Sequence, residues 1–168
     1  MRRTVFDHSI LCVETFPDPT GAGSGDYVRL RMPDWVNAVA VTPDERLVLV
    51  RQHRWGTGRP SLEIPGGQID GSEDPLQAAM REMLEETGYG GGEWRSLGFV
   101  HPNPAIQDNR TWLYAARDVV PLAPPHPDPG ESIEIELVPV SQLATLLRAG
   151  EITHALAVVT LQRLLLGW

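Results

Sequence analysis

The chain has 168 residues, 42% of them hydrophobic, enough for one domain with a core of its own. A formal net charge of −8 and a pI near 5.0 argue against a nucleic-acid binder, which carries a basic stripe. All 14 basic residues are arginine, a composition bias that also suits two-pronged phosphate recognition. Cys12 is the only cysteine, so an intrachain disulfide and a cysteine-based metal site are excluded, and it reads as a small half-buried strand residue. The opening MRRTVFDHSI is basic but lacks the apolar run of a signal peptide, and no segment reaches the length of a membrane span. The expectation is a cytoplasmic protein with no membrane or nucleic-acid partner.

Residues 4–15 and 26–32 are rich in β-branched and alternating residues and are predicted as strands of an N-terminal β-hairpin extension, residues 1–33. FPDPTGAGSG between them is dense in turn formers and forms its loop. Trp35 to Val41 is a near-continuous apolar run, the pattern of a buried strand, and RLVLVRQ, residues 46–52, follows a turn as the next one. Beyond it, His53 reads as a packing residue, and Arg54 as either a solvated charge or a group aimed at a ligand. Gly66 and Gly67 follow a short strand ending near Glu63 and let the backbone come close to a ligand.

A helix is predicted next, with Asp74 as N-cap, Pro75 at its first position, Gln77 where a capping box wants Glu or Gln, and Gly88 as the stop. Gly90 to Gly92 is a flexible link. Residues 93–101 and 110–119 read as paired strands around a loop with two prolines, in which Gln107, Asp108 and Asn109 are either turn residues or contacts to a sugar. PLAPPHPDPG, residues 121–130, is a semi-rigid loop leading into an alternating strand over 131–137. Ser141 caps a helix to Arg148 that Gly150 ends, and a last helix runs over about 153–166, where His154 reads as structural. Strands followed by helices, without an internal repeat, predict a single domain over 1–168 with an α/β/α sandwich around a mixed β-sheet.

At about 100° per residue, Leu76, Met80, Met83 and Leu84 share the core side of the first helix, while Glu82, Glu85 and Glu86 gather on another. Solvated like-charge pairs at this spacing cost only about 0.2–0.5 kcal/mol each, so a wet acidic face is affordable. Drawn into a cleft, the same carboxyls would need a cation among them, and hard divalent ions share such oxygen ligands with phosphates.

The spacing of the whole stretch decides between the two. Gly67, Glu73, Arg81-Glu82-Met83, Glu85-Glu86 and Gly88-Tyr89 resemble the Nudix box, G-x5-E-x7-R-E-U-x-E-E-x-G-U with U bulky and apolar, and depart from it only in Tyr89, where an aliphatic residue is commoner. The chain is identified on these residues as a member of the Nudix hydrolase superfamily. VRQHR, residues 50–54, and Pro104 resemble the group that cleaves ADP-ribose and nucleoside-diphosphate sugars.

The resemblance implies metal-dependent hydrolysis of a diphosphate bond in a nucleoside diphosphate linked to another group, giving a nucleoside monophosphate and a sugar phosphate. It implies Mg²⁺ or Mn²⁺ at Glu82, Glu85, Glu86 and the Gly66 carbonyl, with Arg81 holding the carboxylates and Glu73 orienting the loop. It places Arg54 on the diphosphate, counts Glu63, at the edge of the metal site, and Pro104 with it as substrate-binding residues, and puts a base on the later loop, with Glu131 the best match before Asp128 and Glu134. A homodimer through the N-terminal hairpin is implied too, against a hairpin packed on its own domain. Other readings are hydrolysis of dinucleoside polyphosphates or oxidised nucleoside triphosphates, a silent nucleotide sensor, and an acidic domain without a ligand.

Overall fold

The computed structural model describes residues 2–18, 20–21 and 25–167. The chain opens with a separate antiparallel sheet of β1 (Arg3–His8), β2 (Leu11–Pro17) and β3 (Asp26–Arg31). This corrects the expectation of one strand over 4–15, because the chain reverses at Ser9-Ile10. The His8 ring nitrogen Nδ1 accepts from the Ile10 N–H at 3.4 Å and lies 3.3 Å from Ser9 Oγ, bonds that close the turn without Gly, Pro or Asn. β2 and β3 do form the expected hairpin, but 19 and 22–24 of its loop lie outside the described residues.

The main sheet holds β4 (Trp35–Val41), β5 (Arg46–Arg54), β6 (Arg59–Glu63), β8 (Glu93–Val100), β9 (Thr111–Arg117) and β11 (Ile133–Pro139). Its order is β11-β5-β4-β9-β8 with β6 beside β5; β4 and β9 run parallel and the other pairs antiparallel, so the sheet is mixed. Three helices follow the strands' two-residue period: α1 (Pro75–Thr87), α2 (Leu143–Ala149) and α3 (Ala155–Leu165). Val39, Val41, Leu47, Leu49, Leu113 and Ala115 face Leu143, Ala157 and Leu161 of α2 and α3. Their neighbours Val36, Ala38, Ala40, Val48, Tyr114 and Ala116 pack in the clusters that hold Ala78, Ala79 and Met83 of α1. This is the α/β/α sandwich that the sequence predicts.

A fork in the sheet positions the site. β4 and β5 pair only at Val41 and Leu47, after which β5 takes β6 as its neighbour. The open edge of β4 is filled by the segment that follows β6: the Val36 N–H donates to the Gly67 carbonyl and the Ala38 N–H to that of Pro65, each at 2.9 Å. The glycine turn is thus pinned to the sheet under α1.

α1 begins and ends where predicted. Asp74 accepts from the N–H groups of Leu76 and Gln77, and Gly88 takes a φ of 73°. Gln77 lies 4.0 Å from Met80 Sδ rather than closing a capping box. Gly90, expected in a flexible link, instead belongs to β7 (Tyr89–Gly90), paired with β10 (Val120–Pro121). Ser141 lies inside a single 3-10 turn, Val140–Gln142, and makes no cap, so α2 starts at Leu143, one residue later than expected. β11 likewise starts two residues later than 131, after a turn in which the Glu131 N–H donates to the Asp128 carbonyl.

Candidate active site

α1 carries its acids across the glycine turn. Gly67 has no room for a side chain, since a Cβ there would lie 2.4 Å from Glu82 Oε1, and one on Gly66 would lie 2.2 Å from the Val36 carbonyl oxygen. The Gly66 N–H donates to Glu86 Oε2 at 3.0 Å, tying turn and helix together. Glu86, expected on an acidic face, is only 4% exposed. Burial above all raises its carboxyl to about 8, and the charges of Glu82 and Glu131 add to the rise against the opposing Gly66 N–H. Burial likewise raises Glu82 to about 7 although Arg81 pulls the other way.

Arg81 is the hub of the outer side. Its Nε and Nη2 donate to the two oxygens of Glu73 at 3.1 and 3.0 Å, its Nη1 to Glu82 and Glu85 at 2.9 Å each, and Nη2 also to the Gln68 carbonyl. One guanidinium thereby fixes the helix to the loop before it. Glu73 holds that guanidinium and also lies 3.4 Å from the Asp70 N–H, inside the loop's own turn.

The proline-rich loop fastens the other end. Leu122 and Ala123 donate to the Gly88 carbonyl, and the His126 N–H to that of Glu85 at 2.8 Å. The chain then runs free of α1 into the exposed turn that holds Glu131, whose charge bears on Glu82, Glu86 and Arg54.

Arg54 ends β5 and is bound in a two-pronged pair, Nε and Nη2 each 2.9 Å from an oxygen of Glu63, which leaves Nη1 outside the pair. Glu63 is fully buried, and the His154 Nδ1 lies 2.7 Å from its Oε2, close but poorly aligned for a hydrogen bond. Burial opposes ionisation here, yet His154 and Arg54 outweigh it and hold the Glu63 carboxyl down at about 2. Arg54 and Glu63 also line a cavity of about 470 Å³ whose lining includes none of Glu82, Glu85, Glu86 and Glu131.

The structure therefore sets Glu82 and Glu86 against the Gly66–Gly67 turn and ties Glu82 and the half-buried Glu85 to Arg81, while the charges of Arg54 and Glu131 bear on Glu86. Pro104 is exposed on the 101–110 loop and lines neither the cavity nor the cleft. Trp35, Thr111 and His154 border the cavity although the sequence offers no sign of it, two of them being ordinary strand positions. His53 is exposed and packs edge-on against Trp55 at 4.9 Å between ring centres.

Among the described residues no three acidic, imidazole or thiol groups converge closely enough to form a ready-made metal cage. The donor set still fits a hard divalent ion. Mg²⁺ keeps several waters and needs only one or two carboxylates beside the substrate's phosphates, and Glu82 and Glu86 are oxygen donors that burial keeps from ionising unaided.

The NUDIX domain profile matches residues 33–158. The chain is 27% identical over 155 residues to an ADP-ribose pyrophosphatase of Bacillus subtilis (strain 168), covering 92% of this chain and 83% of that one. It is 33% identical over 150 residues to an ADP-sugar pyrophosphatase of Mus musculus, covering 80% and 69%. A crystal structure of an ADP compounds hydrolase superposes with a TM-score of 0.81 at 25% identity, covering 98% of this chain and 89% of that one. With the glycine turn, the acidic helix and the arginine hub in place, the chain belongs to the Nudix family and is a pyrophosphohydrolase of that family.

Proposed function

We propose that the protein hydrolyses the diphosphate bond of a nucleoside diphosphate linked to a sugar, ADP-ribose or a nucleotide sugar, with Mg²⁺ or Mn²⁺. The observation that carries this reading is the convergence of two carboxyls, the buried Glu86 and the half-buried Glu82, on the Gly66–Gly67 turn, within reach of the charges of Arg54 and Glu131. Glu82, Glu85, Glu86 and the Gly66 carbonyl would hold the ion, which when bound activates water and neutralises charge on the phosphoryl oxygens. Arg81 keeps the carboxylates in register, and its bonds to Glu73 and Gln68 stop the loop from drifting away from the helix. Arg54 presents Nη1 to the diphosphate, its orientation fixed by Glu63. Glu131 takes the proton of the attacking water. The names of the relatives, ADP-ribose pyrophosphatase and ADP-sugar pyrophosphatase, support the choice of substrate.

The test is a panel of ADP-ribose, nucleotide sugars, a dinucleoside tetraphosphate and oxidised dGTP, each with Mg²⁺ or Mn²⁺ and products identified by mass. AMP and ribose 5-phosphate from ADP-ribose are expected, and a preference for either polyphosphate overturns the reading. The outer sheet exposes Val5, Phe6, Ile10, Tyr27 and Val28, an apolar set that supports a homodimer formed through it. Sedimentation velocity should give twice the chain mass, and Phe6→Glu with Val28→Glu should halve it.

A further inference from the structure

α3 starts at a residue that does not serve its own helix. An N-cap is ordinarily Ser, Thr, Asp or Asn, whose side chain takes up a free N–H of the first turn. Here the N-cap is His154, and its side chain makes no bond to the helix. The ring turns instead towards the end of β6, where Nδ1 lies 2.7 Å from Glu63 Oε2. Nδ1 is buried and makes no hydrogen bond to any other group among the described residues. A bare ring nitrogen and a carboxylate oxygen so close would repel each other, so Nδ1 carries a proton and turns its positive side to Glu63. The rest of the ring accounts for the 32% of the side chain that is exposed, on the cavity wall.

Glu63 is fully buried and has no water to replace a lost partner. Its Oε1 accepts from Arg54 Nε and its Oε2 from Arg54 Nη2, at 2.9 Å each. A guanidinium and a carboxylate bind in this two-pronged way only while their planes agree, so a turn of the carboxylate about its last bond swings Arg54 with it. His154 meets the oxygen that Arg54 Nη2 also uses, and so gives the carboxylate a third point of attachment from a different element. Burial is what most opposes the ionised form of Glu63, and of the two groups that overcome it His154 contributes more than Arg54. The angle at which the carboxylate is held sets the direction of Nη1, the nitrogen of Arg54 outside the pair.

We propose that His154 is a positioning residue, which through Glu63 holds the Arg54 guanidinium at the angle that presents Nη1 to the diphosphate. The inference rests on Arg54 binding the diphosphate, as proposed above. It needs no contact of His154 with the substrate, and it gives the first turn of α3 a part in the reaction.

The test compares His154→Ser with His154→Asn. Both new side chains are favoured at an N-cap, so α3 starts equally well in each. Only the Asn amide puts an N–H in the place of ring Nδ1; the Ser hydroxyl stops a bond short of it. With ADP-ribose and Mg²⁺, His154→Ser should lower kcat/KM about tenfold, chiefly through KM, and His154→Asn should recover most of the loss. In an Arg54→Lys background, which keeps a charge beside Glu63 but has no fork to aim, His154→Ser should cost less than about twofold. A readout without substrate is hydrogen exchange of the Arg54 Nε–H, assigned in ¹⁵N spectra through Arg54→Lys: faster in His154→Ser, and near the wild-type rate in His154→Asn. Equal kcat/KM in the two variants, an undiminished loss in the Arg54→Lys background, or an unchanged exchange rate in His154→Ser overturns the inference. Any of these with a wild type that turns over ADP-ribose sinks the positioning role alone. Absence of wild-type turnover on every substrate of the panel sinks the proposed function, and this role with it.

Discussion

At Glu63 a carboxylate with no access to solvent is kept ionised by Arg54 and by the neighbouring His154 ring. Its folded value, about 2, lies below the usual 4.5, so the ionised form is favoured by folding. The stability it contributes is complete above about pH 4.5 and is lost as pH falls towards 2. Acid unfolding followed by circular dichroism should therefore steepen across that window, and Glu63→Gln should flatten it; an unchanged acid limb would show that the pair contributes nothing. Among the acids facing the cleft the roles divide. Glu86→Gln is expected to cost about 10³-fold in kcat, as loss of a central electrostatic group does. Glu131→Gln should cost less, about 10²-fold, the low end of what a base supplies. Equal losses, measured at saturating metal, would contradict the assigned roles.

The glycine turn and α1 work as one element, and its two glycines fail in different ways when filled. A Cβ on Gly67 meets the carboxyl of Glu82, a side chain that can swing away, so Gly67→Ala should spare Tm and reduce turnover. A Cβ on Gly66 meets the Val36 carbonyl on the open edge of β4, where the backbone cannot yield, so Gly66→Ala should cost about 1–3 kcal/mol of stability. Denaturant titration beside kinetics separates the two. This element was legible in the sequence because its signals are local: a cap, a proline, a stop glycine and acids at one helical spacing. The break between β1 and β2 was not, because Ser9-Ile10 carries none of the usual turn residues and is held by a histidine ring. Nor was the burial of Glu86, which depends on the Gly66 N–H lying above it.

On the scale of the whole molecule, the layered fold could be read from the order of strands and helices, but the cavity could not. Its lining joins Trp35 of β4 to Thr111 of β9, which only the parallel β4–β9 pairing brings side by side, and α3 closes it from 40 or more residues away. The buried acids also give the protein a pH signature. Glu82 and Glu86 titrate near 7 and 8 when folded, above their usual 4.5. The unfolded chain releases those protons earlier, so without a divalent ion stability should decline from about pH 4.5 to 8. Mg²⁺ should raise Tm more at pH 8 than at pH 5, where it competes with protons. An equal gain at both values in a thermal scan with and without EDTA would refute the assignment of the ion to these residues.

The spar that carries the acids is clamped at three places, by Asp74 at its foot, by Arg81 to the preceding loop, and by the backbone of residues 122–126 at its head. Together these tie it to the loops on either side. The short arm from 127 to 132, which carries Glu131, begins where the last clamp ends. Substitutions of the prolines and glycine of that arm should therefore change kcat while leaving Tm where it is.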